Sequence, residues 1–215
     1  PLRIFGDNGE SSTSAIIDAI AYAQANGADV LNMSYGSYFS SDLEEEAMAE
    51  AYAAGILSVA AAGNDVVDLN TIPSYPVCYD NVLGVAAVDE FDDAAYFTNY
   101  GTDCVDLAAP GDNILSTFYL DLTSTEFTEP YGWFSGTSMA TPIVAGVTAL
   151  LKSVDDSLDP ATLTDIMVDS TDSLADATLG NGRLNAAAAI DDLLHSGPDA
   201  VAVMAYHTTS RVTEV

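Results

Sequence analysis

Basic side chains are almost missing from this chain: Arg3, Lys152, Arg183 and Arg211 stand against 33 Asp and Glu, a formal charge of −29 over 215 residues. Nucleic acid binding needs clustered Lys and Arg to release counterions, so nucleic acid is excluded as a direct partner. An anionic membrane surface is disfavoured on the same ground. Histidine is as scarce, with His195 and His207 the only two. Cys78 and Cys104 allow one disulfide or none, and no C-x-x-C or Cys/His cluster marks a metal site. So large a charge repels itself unless salt screens it, the Debye length falling from roughly 10 Å at 0.1 M to roughly 3 Å at 1 M. Two readings stand: a salty working environment, or a protein that is simply acidic, soluble and monomeric.

Apolar residues make up 49% of the chain, enough to bury a sizeable core. Short apolar runs alternate with amphipathic stretches, the pattern of an α/β protein whose mainly parallel sheet is covered by helices on both faces. Strands are expected at Leu2 to Phe5, Asp29 to Ser34, Ile56 to Ala62, Asn81 to Val88, Val105 to Ala109 and Ile114 to Thr117. Helices are expected at Ser12 to Asn26, closed by Gly27, and from a capping box at Ser41-Asp-Leu-Glu44 to Gly55. Further helices fall at Met139 to Leu151, Pro160 to Ser170 and Asn185 to Leu194. Phe118 to Ser135 reads as a long loop. The uncharged run from Pro130 to Leu151 is long enough for a membrane span, but its Ser, Thr, Gly and Pro content makes it a loop and a buried helix. Residues 1–195 form one domain, and 196–215 a tail or the start of another module.

Three segments carry chemistry. In Phe134-Ser-Gly-Thr-Ser-Met-Ala-Thr-Pro-Ile-Val-Ala-Gly146, Ser138 stands at the mouth of a buried helix, where backbone amides are unpaired and can donate to a developing oxyanion. Its bland reading is an N-cap. The elbow G-x-S-x-G is not met, since Ala140 replaces the second glycine. Ala60-Ala-Ala-Gly-Asn64 ends a strand on a neutral amide, a good oxyanion donor or merely a turn. Asn32-Met-Ser-Tyr-Gly-Ser37 is another strand end passing into a glycine-bearing loop.

In this order and spacing the three segments resemble the subtilisin-like serine proteases, over roughly Pro1 to Leu194. Gly136-Thr-Ser-Met-Ala140 is similar to the family's nucleophile motif, and Ala61-Ala-Gly-Asn64 to its oxyanion-asparagine motif. Leu31-Asn-Met-Ser-Tyr-Gly36 resembles the strand that pairs with substrate and forms one wall of the specificity pocket. Tyr75-Pro76, Phe97-Thr-Asn-Tyr-Gly101, Ala108-Ala-Pro-Gly111 and Asn181-Gly-Arg-Leu-Asn-Ala186 support the match. The resemblance implies a three-layer α/β/α fold and an endopeptidase acting on protein or peptide substrates. Ser138 would be the nucleophile and Asn64 with the Ser138 amide the oxyanion hole. Ser34, Tyr35, Gly36, Ala62 and Gly63 would flank the side chain on the acyl side of the scissile bond, with Ser74 near the pocket base. Small lining residues there imply a roomy pocket for large apolar or aromatic side chains. Met139, beside the nucleophile, would be an oxidation liability. No cofactor is needed for the chemistry; structural calcium, frequent in the family, has no assignable residues. An extracellular monomer is expected, with Cys78 bonded to Cys104 as the favoured state.

The family also needs an aspartate in an Asp-Thr/Ser-Gly strand end and a histidine in a His-Gly-Thr-His-like helix, and neither motif is present. His195 and His207 end or follow the match and read as bystanders. Lys152 stands 14 residues beyond Ser138, roughly 21 Å along a straight helix, too far for a Ser-Lys dyad. The expectation is that Asp, His and any signal or pro-segment lie upstream of Pro1, so that the chain alone is inactive. The alternative is a catalytically incomplete binding module on the same fold, or a chain completed by a partner. A flavodoxin-like or nucleotide-binding domain is disfavoured, because no glycine-rich phosphate loop follows a strand.

Overall fold

The computed structural model describes residues 1–117 and 130–196. In chain order its elements are α1 (Thr13–Ala25), β1 (Val30–Met33), α2 (Asp42–Ala53), β2 (Leu57–Ala61), β3 (Val82–Val88), β4 (Leu107–Pro110), β5 (Ile114–Thr117), β6 (Tyr131–Phe134), α3 (Thr137–Val154), α4 (Pro160–Asp169) and α5 (Ala186–Ser196). The first four strands form one parallel sheet in the order β1-β2-β3-β4, while β5 and β6 pair as an antiparallel ribbon.

Strand periodicity sorts the core into two halves, because successive side chains leave a strand on opposite faces. Leu57 and Val59 of β2, Leu83 and Val85 of β3 and Leu107 of β4 meet Val144 and Leu151 of α3, Leu163 and Met167 of α4 and Ala189 of α5. On the other face Ala60, Val82, Ala86 and Ala108 meet Ile20 of α1 and Met48 and Ala51 of α2. The fold is therefore the three-layer α/β/α arrangement expected, and β2 and β3 are apolar throughout because both of their faces are covered. Helix α3 has the length and hydropathy of a membrane span. It lies instead against all four parallel strands, with Ala140, Val144 and Leu151 fully buried.

Local signals act as expected at most ends. Ser12 caps α1 by accepting from the Ala15 amide at 3.2 Å, and Asp159 caps α4 by accepting from Thr162 at 2.8 Å. Gly27 and Gly55 hold φ of +72° and +90° just past α1 and α2, where a side chain would be strained. Cys78 and Cys104 form a disulfide ahead of β3 and β4.

Three expectations are corrected. Leu2 to Phe5 is not a strand: it has no ladder partner among the described residues, and it lines a groove of about 690 Å³ together with β1 and α1. A strand is stable only beside a neighbour, and this segment pairs with none among the described residues. The capping box forms by half. Ser41 Oγ accepts from the Glu44 amide at 3.4 Å, but the Ser41 amide donates to the Tyr79 hydroxyl at 2.7 Å. Glu44 turns inward, only 6% exposed, and burial holds its carboxyl above the usual range. Finally, the loop expected over Phe118 to Ser135 contains β6, with Trp133 opposite Leu115 and Tyr131 opposite Thr117. Residues 118–129, the tail from 197 onward and His207 lie outside the described residues.

Candidate active site

The carboxyl ends of β1 and β2 converge on the N-terminus of α3, the edge at which parallel α/β sheets place ligands. Ser138 is the second residue of α3, half-buried, and its amide has no acceptor among the described residues. That leaves an N–H free at the positive end of an 18-residue helix.

Asn64, on the loop after β2, is bound to the same turn. Its Oδ1 accepts from the Thr137 amide at 2.8 Å and from the Thr137 hydroxyl at 3.0 Å. Thr137 Oγ1 in turn accepts from the Gly63 amide at 3.0 Å. With its oxygen so occupied, the amide group of Asn64 is oriented with both Nδ2 donors uncommitted among the described residues. The loop is held from behind by Asn99, fully buried, which donates to Ala62 O at 2.9 Å and accepts from the Asp65 and Val67 amides at 2.9 and 3.0 Å. Gly63 allows this wrap. It sits at φ +105°, and a Cβ there would come within 2.4 Å of Asn99 Nδ2.

Ser34, just past β1, clasps Ser138 twice. Ser34 Oγ donates to the Ser138 carbonyl at 2.9 Å, and Ser138 Oγ donates to the Ser34 carbonyl at 3.2 Å. The first bond has a cause in the sequence four residues on. Pro142 lies inside α3 and has no N–H, so the Ser138 carbonyl lacks its helical donor and Ser34 supplies one.

A pocket of about 250 Å³ opens beside this corner. Of the residues expected to line it, Tyr35, Gly36, Gly63 and Ser74 do so together with Asn64 and Ser138. Ser34 stands behind the wall. Ala62 is corrected: it is fully buried, its amide donates to Val85 O at 2.9 Å, and Ala61 takes its place in the lining. The wall after β1 is fixed by paired bonds between Ser37 and Tyr75 at 2.8 and 2.7 Å, next to a cis Tyr75–Pro76 peptide. Burial raises the Tyr35 hydroxyl pKa strongly, with the nearby Glu44 charge adding to it. Thr137, Tyr38 and Asp65 also line the pocket and escaped the sequence reading. Thr137 lay inside the motif singled out around Ser138, and Asn99 inside Phe97-Thr-Asn-Tyr-Gly101, whereas nothing local marked Tyr38 or Asp65.

No imidazole reaches Ser138 among the described residues. His195 Nδ1 lies 2.7 Å from the Asp191 carbonyl and 3.1 Å from its carboxylate, on α5. Lys152 Nζ donates to the Asp156 and Leu158 carbonyls at 2.7 and 3.1 Å and lies 3.8 Å from Asp29. Nor do the described residues hold a cluster of three or more Asp, Glu, His or Cys placed for a metal ion.

Fold and site together define an α/β protein with a serine on the first turn of a central helix, facing an asparagine at a strand end. The chain belongs to the Subtilase family, peptidases S8, whose profile matches residues 1–186. It is 41% identical over 190 residues to Halolysin of Haloferax mediterranei, an alignment covering 87% of this chain and 34% of that protein. To Subtilisin DY of Bacillus licheniformis it is 36% identical over 191 residues, covering 87% and 66%. Among solved structures, a protease from Pseudoalteromonas arctica superposes with a TM-score of 0.81 at 34% identity, covering 89% of this chain and 61% of that one. The chain thus spans about a third of the length of Halolysin and two thirds of Subtilisin DY.

Proposed function

We propose that the protein is a serine endopeptidase in which Ser138 attacks a peptide carbonyl and carries the acyl group, while Asn64 Nδ2 and the Ser138 amide take the oxyanion. The observation that carries this reading is the double bond from Thr137 to Asn64 Oδ1, which presents the asparagine's donors beside an uncommitted helix-terminal amide. Donors fixed in advance stabilise a developing charge without reorganising at the moment of reaction. The attack moves the hydroxyl proton to a base and forms the acyl C–O bond as the amine leaves with a proton; water then reverses the sequence. The base must come from outside the described residues. A segment completing the sheet along the open side of β1 would end next to Ser34, which holds Ser138, so the groove there is where we place the missing machinery. No cofactor is required, and proteins or peptides are the substrates.

Treating the protein as isolated from its source with a fluorophosphonate, and mapping the adduct by mass spectrometry, tests this. A label on Ser138, absent from Ser138→Ala, is expected. Peptide binding with no label would favour the second reading, a subtilase-fold binding module, which the lack of an imidazole near Ser138 among the described residues supports. The likeness to Halolysin and to a Halolysin-like extracellular serine protease of Natrialba magadii, together with the charge of −29, supports an exported, salt-adapted protein, which we take to be a monomer. Its melting temperature should then climb between about 0.1 M and about 3 M salt as repulsion is screened; a flat profile would remove that part.

A further inference from the structure

We propose that Asn99 is a positioning residue for the reaction: fully buried and outside the pocket lining, it acts through Asn64 by fixing the backbone that aims that side chain, and so sets how fast Ser138 is acylated. This rests on the roles given to Ser138 and Asn64 above. Past the end of β2 the Ala62 amide still reaches Val85 O at 2.9 Å, and then the chain turns away from β3. Over the residues that follow, Asn99 meets four backbone groups. Its Nδ2 donates to Ala62 O at 2.9 Å and its own N–H donates to Gly63 O at 2.9 Å, while its Oδ1 accepts from the Asp65 amide at 2.9 Å and the Val67 amide at 3.0 Å. These bonds fall on both sides of Asn64 and none falls on Asn64 itself. The Asp65 side chain is tied separately, accepting at Oδ2 from the Tyr38 hydroxyl at 2.6 Å, so its amide is left to Asn99.

Only a neutral carboxamide can accept two N–H groups and donate a third bond from one planar group; a carboxylate accepts without donating, and an apolar side chain does neither. The group is also held from the core. Thr98 Oγ1, buried beside it, accepts from the Ala87 amide of β3 at 3.0 Å and donates to Asn99 O at 2.9 Å. The frame that places Asn64 is therefore β3, reached through Thr98 and Asn99. Thr137 fixes the rotation of the Asn64 amide group, but where that group starts is decided by the flanking backbone. Losing the frame leaves the donor present and badly aimed, a misplacement that costs about tenfold, short of the roughly 100-fold that removing the donor costs.

The test is a double-variant cycle on fluorophosphonate labelling of Ser138, run on protein expressed in its source, with reagent binding and maximal labelling rate measured separately. Asn99→Ala should lower the maximal rate about tenfold and leave reagent binding unchanged. In an Asn64→Ala background the same substitution should cost nothing more, because a residue that acts through Asn64 has nothing left to act on. Asn99→Asp, which keeps the shape and both accepted bonds but has no N–H for Ala62 O, should follow the same pattern and decides the question if the alanine variant does not fold. Equal losses in both backgrounds, a loss in binding in place of rate, or labelling at the full rate overturns the inference. The order of the Asn64 side-chain amide, measured by NMR relaxation, needs no chemistry at Ser138 and should fall in either Asn99 variant; unchanged order overturns the inference as well. If the unaltered protein does not label, a fall in order removes only the enzymatic reading, whereas labelling with equal losses in both backgrounds removes only the role of Asn99.

Discussion

The corner around Ser138 and the outer side of β1 are built from the same strand, and they differ in how their polar groups are satisfied. At the corner Ser34, Asn64, Thr137 and Ser138 bond one another across three elements, and Asn99 closes the loop behind them. A few residues back along β1, the edge away from β2 has no ladder partner among the described residues, and apolar Leu2, Ile4 and Phe5 face it over a groove. The oxyanion half of the proposed chemistry is complete within the described residues. The half that would supply the base is proposed to lie along this open edge, whose unpaired N–H and C=O groups can pair with another strand.

Hydrogen exchange should show the contrast at its largest. Amides of β2 and β3, buried and paired on both sides, should exchange about a thousandfold more slowly than the outward amides of β1; equal protection would mean that the edge is already covered. At the corner, Asn64→Ala should slow fluorophosphonate labelling by about 100-fold with folding unchanged, the lower end of what losing one oxyanion donor costs in subtilisin-like enzymes. Thr137→Val removes the side-chain bonds to Asn64 and Gly63 but keeps the amide bond, so a smaller loss of about tenfold in labelling is expected. The smallest effect lies outside both regions. Burial raises the pKa of Asp106, with the Gly84 amide bond opposing it, so the folded state holds this proton more tightly than the unfolded chain does. Its contribution to stability is therefore present below the unfolded pKa and lost as pH rises through the folded one. Asp106→Asn should raise the melting temperature at pH 7 and leave it nearly unchanged at pH 3.

Elements marked by a contiguous apolar run or by a glycine stop were the legible ones. The expected strand from Ile56 to Ala62 is β2 within a residue at each end, Ile114 to Thr117 is β5 itself, and the glycines after α1 and α2 stop them where they were placed. Leu2 to Phe5 misled because apolar composition reports burial, and pairing is a separate requirement that depends on a neighbour. Glu44 misled for a similar reason: its local bond to Ser41 lost to a phenol from Tyr79, 35 residues on. In the site, Ser138 and Asn64 were legible because each lies in a contiguous motif. The Tyr38 and Asp65 pair was not, since two ordinary loop residues become a pair only when β1 and β2 are set side by side.

Pro142 sets a trade-off between helix and site. Pro142→Ala would return an N–H to the middle of α3 and let the Ser138 carbonyl close the usual turn, so the isolated helix would gain. Ser34 would then share the Ser138 carbonyl with a helical donor, and its clasp on the nucleophile would rest more on the bond from Ser138 Oγ to its own carbonyl. The irregularity in α3 thus adds one bond between the central helix and the strand beside it, and a variant chosen for stability alone would select against that bond.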